Sequence, residues 1–378
     1  MNHKEKKIIF DENKNVKNKF IIYHFFTKIL ILSFIFLNFK LENIEKIRFI
    51  ICNTPSHNNY GDEAILMATK EFLKHYFPKY TQIEIYINES LQNIRLIKYI
   101  INENDIIIMN GGGYFGLYEP VIKGQANIVN SFPNNHIIFF PCSILYNSQN
   151  SYKYNKYIDI FNNNKNLVLF TRDNKSFNIA INNFKNITIY NSPDIATRLN
   201  LNFLEKIENR DGIMLILRKD ELLLTNENRK FIRDLAKKYF GNKVFEKDSN
   251  AFIIPLGSNR KNETFKFIDD ISKKKLIITD RLHGMIFSII TSTPCIIFGN
   301  NYHKIESSYY SWFKNIEYAD FINKNEIEIK LESSINKLMN LKNITKYDHK
   351  MFNKYYLFLK HIIQEKINMI TILKSFYN

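Results

Sequence analysis

A loop that follows one apolar run holds residue types able to bind an anion and move a proton. Thr279–Gly284 reads Thr-Asp-Arg-Leu-His-Gly and follows the apolar run Leu276–Ile278. A helix-like segment and a second apolar run, Cys295–Phe298, come next, which predicts the order strand, loop, helix, strand. Such loops lie at the carboxyl edge of open α/β sheets, where ligands bind. We therefore expect Arg281 and His283 to reach one bound anion and to form the active site.

A second arginine, Arg218, ends another apolar run, Ile213–Leu217. If it faces the same sheet edge as Arg281, the two guanidinium groups form a clamp suited to phosphate and carboxylate. Taken alone, Arg218 is typical of a surface residue, and His283 has a simpler interpretation as a histidine packed on its own helix. Lys304 would add positive charge, but the chain has 53 Lys and Arg residues, so a single lysine is a weak signal.

Two stretches nearer the N-terminus are candidates for contacts with sugar hydroxyls. In Asn59–Asp62, Gly61 lets the backbone turn tightly, and the side chains of Asn59 and Asp62 can bond to hydroxyls. The simpler interpretation, which the residues alone favour, is that Asp62 caps the following helix. Gly111–Gly113 either presents backbone amides to a sugar or phosphate or forms a flexible turn. The motifs of nucleotide P-loops and dinucleotide sites are missing from both stretches.

Arg172 and Asp194 each follow an apolar run, in Thr-Arg-Asp and Ser-Pro-Asp respectively. Arg172 is either a cation of the binding cleft or the partner of Asp173, and a surface pair of that kind would stabilise little. Asp194 binds acceptor hydroxyls, caps a helix or marks a turn. Neither stretch is specific by itself.

The elements that position these residues alternate between strand and helix, which predicts an α/β fold with parallel sheets. The expected strands are Ile47–Cys52, Ile83–Ile87, Asp105–Met109, Ile137–Phe140, Leu167–Phe170, Ile213–Leu217, Phe252–Leu256, Leu276–Ile278 and Cys295–Phe298. The expected helices are Asp62–Tyr76, Glu227–Tyr239, Thr264–Lys273 and Lys350–Phe376. The charged stretch Leu199–Asp211 lacks strand character, so we predict Rossmann-like domains over residues 47–205 and 206–378 that face a cleft.

Composition narrows the class of protein. A formal net charge of +16 would suit nucleic-acid binding, but the lysines are scattered singly and no nucleic-acid motif is present. Anionic substrates and some affinity for acidic lipid head groups are the remaining expectation. The three cysteines are odd in number and strand-like in context, so we expect buried, reduced thiols, no metal site and a cytoplasmic location.

Residues 1–46 are expected to form a basic tail followed by a hydrophobic helix. The apolar segment Phe20–Phe39 has the length of a membrane span and a basic N-terminal flank. His24 and Lys28 oppose that interpretation, because a lysine is expensive in hydrocarbon. A helix packed on the protein is therefore preferred, and a membrane anchor or a peripheral surface helix stays open.

Taken together in order and spacing, these stretches resemble the polysaccharide pyruvyl transferase family. The resemblance covers about Ile47 to Lys304, and Arg281–Gly284 is its strongest part. It implies two Rossmann-like domains of glycosyltransferase-B type, phosphoenolpyruvate as donor substrate, no further cofactor, and a sugar of a surface polysaccharide or its lipid-linked precursor as acceptor. One departure is visible, since the family often has glycine where this chain has Asn58.

The resemblance also implies roles for single residues. On the donor side it places three side chains, Arg218, Arg281 and His283. On the acceptor side it places Asn59, Asp62 and Gly111–Gly113. A pyruvate ketal requires protonation of the enol carbon and loss of phosphate, so we hypothesise that His283 supplies that proton or orients the donor and that Asp62 is the base. Two alternatives remain open: a glycosyltransferase that uses a nucleotide sugar, and a non-catalytic scaffold of glycan assembly.

Overall fold

Two parallel β-sheets, each covered by helices, form the framework of the protein. The computed structural model describes residues 46–116, 119–145, 151–202, 204, 209–218, 224–250, 258–299 and 302–377. The segment from Ile47 to Asn378 is one compact unit, and both sheets belong to it. The hydrophobic segment predicted at residues 20–39 and the strand predicted at residues 252–256 lie outside the described residues.

The first sheet is built from runs of isoleucine and phenylalanine that are buried on both faces, as parallel strands between helices must be. Its strands are β1 (Phe49–Thr54), β2 (Gln82–Tyr86), β3 (Ile106–Met109), β4 (Gly112–Phe115), β5 (Ile137–Ile144), β6 (Leu167–Thr171) and β7 (Thr188–Asn191). Their order is β2-β1-β3-β5-β6-β7, and β4 pairs with β5. Every pairing is parallel.

Six helices and one 3-10 turn accompany this sheet. They are α1 (Tyr60–Tyr76), α2 (Ile87–Gln92), α3 (Ile94–Ile100), α4 (Glu119–Ser131), α5 (Ser151–Asn162), α6 (Asn174–Asn183) and the 3-10 turn Ile195–Arg198. Helix α1 begins at Tyr60 because the Asn59 side chain accepts hydrogen bonds from the backbone N–H groups of Gly61 and Asp62. The expectation that Asp62 caps this helix is therefore wrong, and its carboxylate is available for other contacts.

The second sheet contains β8 (Ile213–Ile216), β9 (Val244–Glu246), β10 (Leu276–Thr279), β11 (Cys295–Phe298) and β12 (Ala319–Ile322). Its order is β12-β11-β10-β8-β9, again with parallel pairing. The accompanying helices are α7 (Asn226–Phe240), α8 (Ser258–Ser272), α9 (Leu282–Ile290), α10 (Lys304–Ser308), the π-helical turn Tyr309–Phe313, the 3-10 turn Lys324–Glu326, α11 (Ile327–Met339) and α12 (Asn353–Tyr377). The predicted α/β class with parallel sheets is confirmed.

The strand orders locate the place where a ligand should bind. In each sheet the first strand lies between the second and the third, so the direction of winding reverses beside β1 and beside β8. Crevices open at the carboxyl ends of strands at such reversal points. The loops after β1, β3, β8 and β10 are therefore the expected walls of a binding site.

The last helix, α12, returns to the first sheet. The hydroxyl of Tyr356 donates to the carbonyl of Asp194 over 3.1 Å, and the ring of Phe358 lies 4.7 Å from that of Tyr190. Residues late in the chain thus complete the core beside β6 and β7. The domain boundary predicted between residues 205 and 206 stays a prediction. Helix α12, at the C-terminal end of the second half, contacts the first half.

The three cysteines and the helix lengths bear on two further expectations. Cys52, Cys142 and Cys295 are buried and form no disulfide, and burial raises the pKa of each thiol. This confirms the buried, unpaired thiols predicted from the sequence. Within the described ranges, no helix is both long enough and apolar enough to cross a membrane.

Candidate active site

A cleft of about 500 Å³ lies where the carboxyl ends of the two sheets face each other. Its walls come from the loops after β1, β6, β8, β9 and β10, from β4, and from α1, α2, α4, α9 and α10. The residues that line it are Ser56, His57, Asn59, Asp62, Ile87, Asn88, Leu91, Gly113, Pro120, Val121, Arg172, Arg218, Ser249, Asn250, Asp280, Arg281, Leu282, His283 and Lys304. Residues of both sequence halves therefore share one cavity.

Arg281 stands at the start of α9, where its position is fixed by two contacts. Its backbone N–H donates to the hydroxyl of Thr279 over 3.0 Å. Its guanidinium Nη2 donates to Oδ2 of Asp248 over 2.7 Å, and both side chains are buried. A charged pair of this kind holds the planar group in one orientation toward a ligand.

Arg218 and Asp280 meet beside Arg281. The backbone N–H of Arg218 donates to Oδ1 of Asp280 over 2.7 Å, and Oδ2 of Asp280 is buried and accepts no hydrogen bond from the residues that the structure describes. Burial raises the pKa of Asp280 to about 6, and the N–H of Arg218 and the nearby arginine charges only partly oppose this. The second half thus supplies two arginines and a carboxyl group that titrates well above its ordinary range.

A glycine on β4 lets cations of both halves approach one another. A Cβ placed on Gly113 would lie 2.8 Å from Nη2 of Arg172 and 3.4 Å from Nζ of Lys304. Any side chain at this position would displace one of these two groups. Gly111 and Gly112 do not line the cleft, and Gly112 and Gly113 belong to a strand, which corrects the alternative that the three glycines form a flexible turn.

Arg172 is buried and pairs with Asp194, not with Asp173. Its Nη1 donates to Oδ2 of Asp194 over 2.7 Å, and its Nε donates to the hydroxyl of Ser143 over 2.8 Å. Asp173 instead caps α6 by accepting from the backbone N–H of Ser176. The alternative that Arg172 merely pairs with its neighbour is therefore wrong.

Asp194 lies behind the cleft wall, between Arg172 and His283. Its Oδ2 is 3.6 Å from Nε2 of His283, a distance of charge attraction slightly too long for a hydrogen bond. Burial raises the pKa of Asp194, but His283, Arg172 and the backbone N–H of Ala196 lower it by more, so that the pKa is about 2. Asp194 is thus an ionised support for these side chains, and it does not line the cavity that would hold an acceptor.

His283 packs directly on the loop after β1. A Cβ on Gly61 would lie 2.0 Å from Nδ1 of His283, so no side chain fits there. Nε2 of His283 is buried and makes no hydrogen bond in the part of the chain that the structure describes. The Asn-x-Gly-Asp and Arg-Leu-His-Gly stretches, more than 200 residues apart, are therefore parts of one site.

The side chain of Asp62 points to a histidine that the sequence analysis did not select. Nε2 of His57 and Oδ2 of Asp62 are 2.8 Å apart. Asn59 uses its Oδ1 as the cap of α1 and donates from Nδ2 to Oδ1 of Asn250 over 2.6 Å. Asn59 therefore links the two halves of the chain.

The structure brings most of the predicted residues together. Those that line the cleft are His283, Asp62, Arg218, Arg281, Asn59, Gly113, Arg172 and Lys304. Those outside its wall are Gly111, Gly112 and Asp194. The main residues that sequence reasoning missed are His57, Asp248 and Asp280. His57 and Asp280 stand beside recognised motifs, whereas Asp248 follows a short, half-exposed strand that carries no distinctive pattern.

Within the described ranges, no group of three or more His, Cys, Asp or Glu residues is arranged to hold a metal ion. Among the charged or titratable side chains that line the cleft, four are guanidinium or ammonium groups, two are imidazoles and two are carboxyl groups. This arrangement suits a ligand that carries more than one negative charge.

Comparisons with known proteins agree with this geometry. Residues 59–302 match the model of the family described as polysaccharide pyruvyl transferase. The chain is 32% identical over 302 residues to General stress protein 30 of Bacillus subtilis (strain 168), which covers 78% of this chain and 86% of the relative. It is 25% identical over 300 residues to Pyruvyl transferase 1 of Schizosaccharomyces pombe (strain 972 / ATCC 24843), and the match covers 72% of each chain.

The fold has relatives among solved structures. The UDP-GlcNAc 2-epimerase of Methanocaldococcus jannaschii superposes with a TM-score of 0.52 at 15% identity, over 85% of this chain and all of the other. At that identity the similarity concerns the glycosyltransferase-B type of fold alone. From the family match and the position of its motifs around one cleft, the chain belongs to the polysaccharide pyruvyl transferase family.

Proposed function

We propose that this protein transfers a pyruvyl group from phosphoenolpyruvate to a sugar of a cell-surface polysaccharide or of its lipid-linked precursor, forming a cyclic ketal. The observation that carries the proposal is the convergence of Arg218, Arg281 and Lys304 on a cleft that also contains His283. Family membership supports pyruvyl transfer in polysaccharide biosynthesis. Phosphoenolpyruvate as donor and the surface glycan as acceptor are what membership of the family implies, and the cations of the cleft agree with an anionic donor.

The cationic wall suits the two anionic groups of phosphoenolpyruvate. A phosphate and a carboxylate each accept paired hydrogen bonds from a guanidinium group, and Arg218 and Arg281 offer two of these groups side by side. Lys304 would add a point charge from the other side of the cleft. As phosphate departs, negative charge grows on its oxygens, so these cations stabilise the transition state more than the bound donor.

Ketal formation requires one proton on carbon and one on phosphate, and the two acceptor hydroxyls supply both. We assign delivery of the first, to the methylene carbon of the donor, to His283, which lines the cleft and whose ring is supported by Asp194, 3.6 Å from its Nε2. The carbon that bore phosphate then accepts the two sugar oxygens while inorganic phosphate leaves. Asp62 lines the same cleft, and we assign it to the acceptor side, where a hydroxyl would lose its proton.

The acceptor would occupy the side of the cleft formed by the first half. Its apolar lining, Ile87, Leu91, Pro120 and Val121, offers a surface for the C–H face of a sugar ring, and Asn88 offers an amide. Binding sites commonly combine such a surface with a few polar groups that fix orientation.

The test is a donor screen with product mass measurement. Phosphoenolpyruvate and nucleotide sugars are each offered with methyl glycosides of common hexoses and N-acetylhexosamines. We expect phosphate release from phosphoenolpyruvate only with an accepted glycoside, and a product heavier by one pyruvate ketal. Arg218→Ala and Arg281→Ala should each reduce kcat/KM by about a hundredfold or more, while Arg233→Ala, an exposed arginine on α7 paired with Glu246, should change little.

Two results would count against the proposal. A product heavier by a hexose, formed only from a nucleotide sugar, would identify a glycosyltransferase. Full activity of folded Arg281→Ala would show that the cationic wall does not hold the donor.

A further inference from the structure

The loop after β1 holds a histidine and a carboxylate in a fixed geometry. Nε2 of His57 lies 2.8 Å from Oδ2 of Asp62, which is buried at the first turn of α1. The backbone of His57 is held in turn by Arg260 of α8, whose Nη2 donates to the His57 carbonyl over 2.7 Å and whose Nη1 donates to the carbonyl of Pro55 over 3.0 Å. The second half of the chain therefore fixes the loop that carries this pair.

The two members of the pair differ in accessibility. The side chain of His57 is 44% exposed, whereas that of Asp62 is only 7% exposed. A buried carboxylate behind a half-exposed imidazole orients the ring and stabilises its protonated form. In the tautomer that donates Nε2–H to Asp62, the lone pair of the ring is on Nδ1.

Charge around the ring agrees with that arrangement. Burial lowers the pKa of His57, and Arg260 lowers it further, but the hydrogen bond and the charge of Asp62 raise it more, so the net change is upward. A neutral imidazole with an elevated pKa is a stronger base than an isolated histidine and still accepts a proton near neutral pH.

Both residues line the same cleft as Arg218 and Arg281 of the second half. Gly61 lies between the His57–Asp62 pair and His283, and the ring of His283 packs on the Cα of Gly61. The acceptor hydroxyl must lie between the donor carbon and a base, and His57 is the exposed basic group that the first half contributes to the cleft. We propose that His57, oriented by Asp62, is the general base that removes the proton from the attacking acceptor hydroxyl. This inference rests on the proposed function and moves Asp62 from base to positioning residue.

The step balances within the overall reaction. As the hydroxyl oxygen forms its bond to the donor carbon, its proton moves to Nδ1 of His57, and the imidazolium is stabilised by Asp62. The electron pair of the broken C–O bond leaves with phosphate. The proton on His57 then passes to that phosphate or to water, which restores the neutral ring.

The first experiment compares His57→Gln with Asp62→Asn in the full-length protein, using phosphoenolpyruvate and an accepted glycoside. We expect His57→Gln to lower kcat by about a hundredfold or more. The affinity of this variant for phosphoenolpyruvate, measured by a binding titration, should equal that of the wild type. Asp62→Asn keeps a hydrogen-bond acceptor and removes the charge, so kcat should fall and its acid limb should shift to lower pH. A purely structural role of Asp62 would not move that limb.

His75→Gln is the matched control, because His75 is an exposed histidine on the same helix as Asp62. It should leave both kcat and the pH profile unchanged. Activity of folded His57→Gln within a fewfold of the wild type, with the same acid limb, would overturn the proposal. If that variant does not fold, an unchanged acid limb in Asp62→Asn would overturn it equally.

A second measurement does not depend on the donor. Histidine titration by NMR, assigned with His57→Asn, should give His57 a pKa above its ordinary value and a clear decrease in Asp62→Asn. An unchanged pKa would remove the base that the proposal requires. If the NMR titration shows His57 coupled to Asp62 but the wild type releases no phosphate from phosphoenolpyruvate, the proposed function fails while the interaction within the pair stands. Failure of the proposed function and failure of the His57 proposal are therefore distinguishable.

Discussion

Replacing Asp280 with asparagine should make the protein more stable relative to the wild type as the pH rises. The reason is that the Asp280 carboxyl group is buried and hard to ionise, although arginines lie nearby. Its pKa rises from 3.8 to about 6 on folding, chiefly through burial. Between those two values the folded state binds more protons than the unfolded state, so this group makes stability decrease with increasing pH. The full decrease amounts to about 3 kcal/mol above pH 6, at 1.36 kcal/mol per pKa unit.

Asparagine at position 280 keeps an oxygen that can accept from the Arg218 N–H and removes the titration. The free energy of unfolding of the variant, relative to the wild type, should therefore increase by about 2.5 kcal/mol between pH 4 and pH 7.5. Comparing this difference at two pH values cancels the pH-independent cost of an asparagine in the site. Urea denaturation followed by the fluorescence of Trp312, the single tryptophan, measures it.

Asp194→Asn provides a control of opposite sign. The folded pKa of Asp194 is lowered from 3.8 to about 2, so its ionised form stabilises the protein above pH 3.8 and that contribution is lost as the pH falls through 2. This variant should lose about 2 kcal/mol at neutral pH. A pH-independent difference for Asp280→Asn, or a loss that grows with pH as for Asp194→Asn, would refute the assignment of Asp280 as a carboxyl group destabilised by burial.

Two further substitutions test how the motifs are built. Gly61→Ala places a methyl group where His283 packs, 2.0 Å from Nδ1, so kcat should fall by about a hundredfold. The control Gly299→Ala, where an added methyl group has ordinary clearance, should not show this loss. Normal kinetics of Gly61→Ala would show that the contact is dispensable. Asn59→Ala removes the cap of α1 and should cost about 1 kcal/mol or more in chemical denaturation, whereas an unchanged stability would return the capping role to another residue.

Much of the framework could be predicted because it depends on local patterns. Runs such as Ile106–Met109 and Cys295–Phe298 are apolar and β-branched, and parallel strands buried on both faces need that composition. The residues that follow such strands reach one edge of each sheet for topological reasons, so Arg218 and Arg281 could be assigned to one cleft from the sequence. The order of elements thus determined the position of the cationic wall.

Other features depended on tertiary contacts that leave no local signal. Three consecutive glycines predict a flexible loop, yet Gly112 begins β4 because the neighbouring strand β5 is there to pair with it. His57 lies in a loop whose backbone is held by Arg260, 203 residues later, through a hydrogen bond to the His57 carbonyl. Asp248 follows the edge strand β9, and nothing in the preceding sequence Lys-Val-Phe-Glu-Lys indicates that Asp248 pairs with Arg281.

The contacts within the site explain why its motifs must be kept in one relative position. Gly61 touches His283, which is supported by Asp194; Asp194 holds Arg172, and Arg172 approaches Gly113. This chain of contacts passes from the first half to the second and back. Two hydrogen bonds fix the halves near it, from Asn59 to Asn250 and from the indole N–H of Trp312 to the carbonyl of Arg172.

The consequence concerns how catalysis should respond to change far from the reacting atoms. A ketal forms only if the donor carbon, the proton donor and two hydroxyls are aligned together, and small displacements of such groups are costly. Because the arginines proposed to hold the donor belong to one half and the His57–Asp62 pair to the other, a weakened contact between halves should lower kcat before it lowers the affinity for either substrate alone. The hydrogen bonds that join the halves therefore contribute to the chemistry as well as to stability.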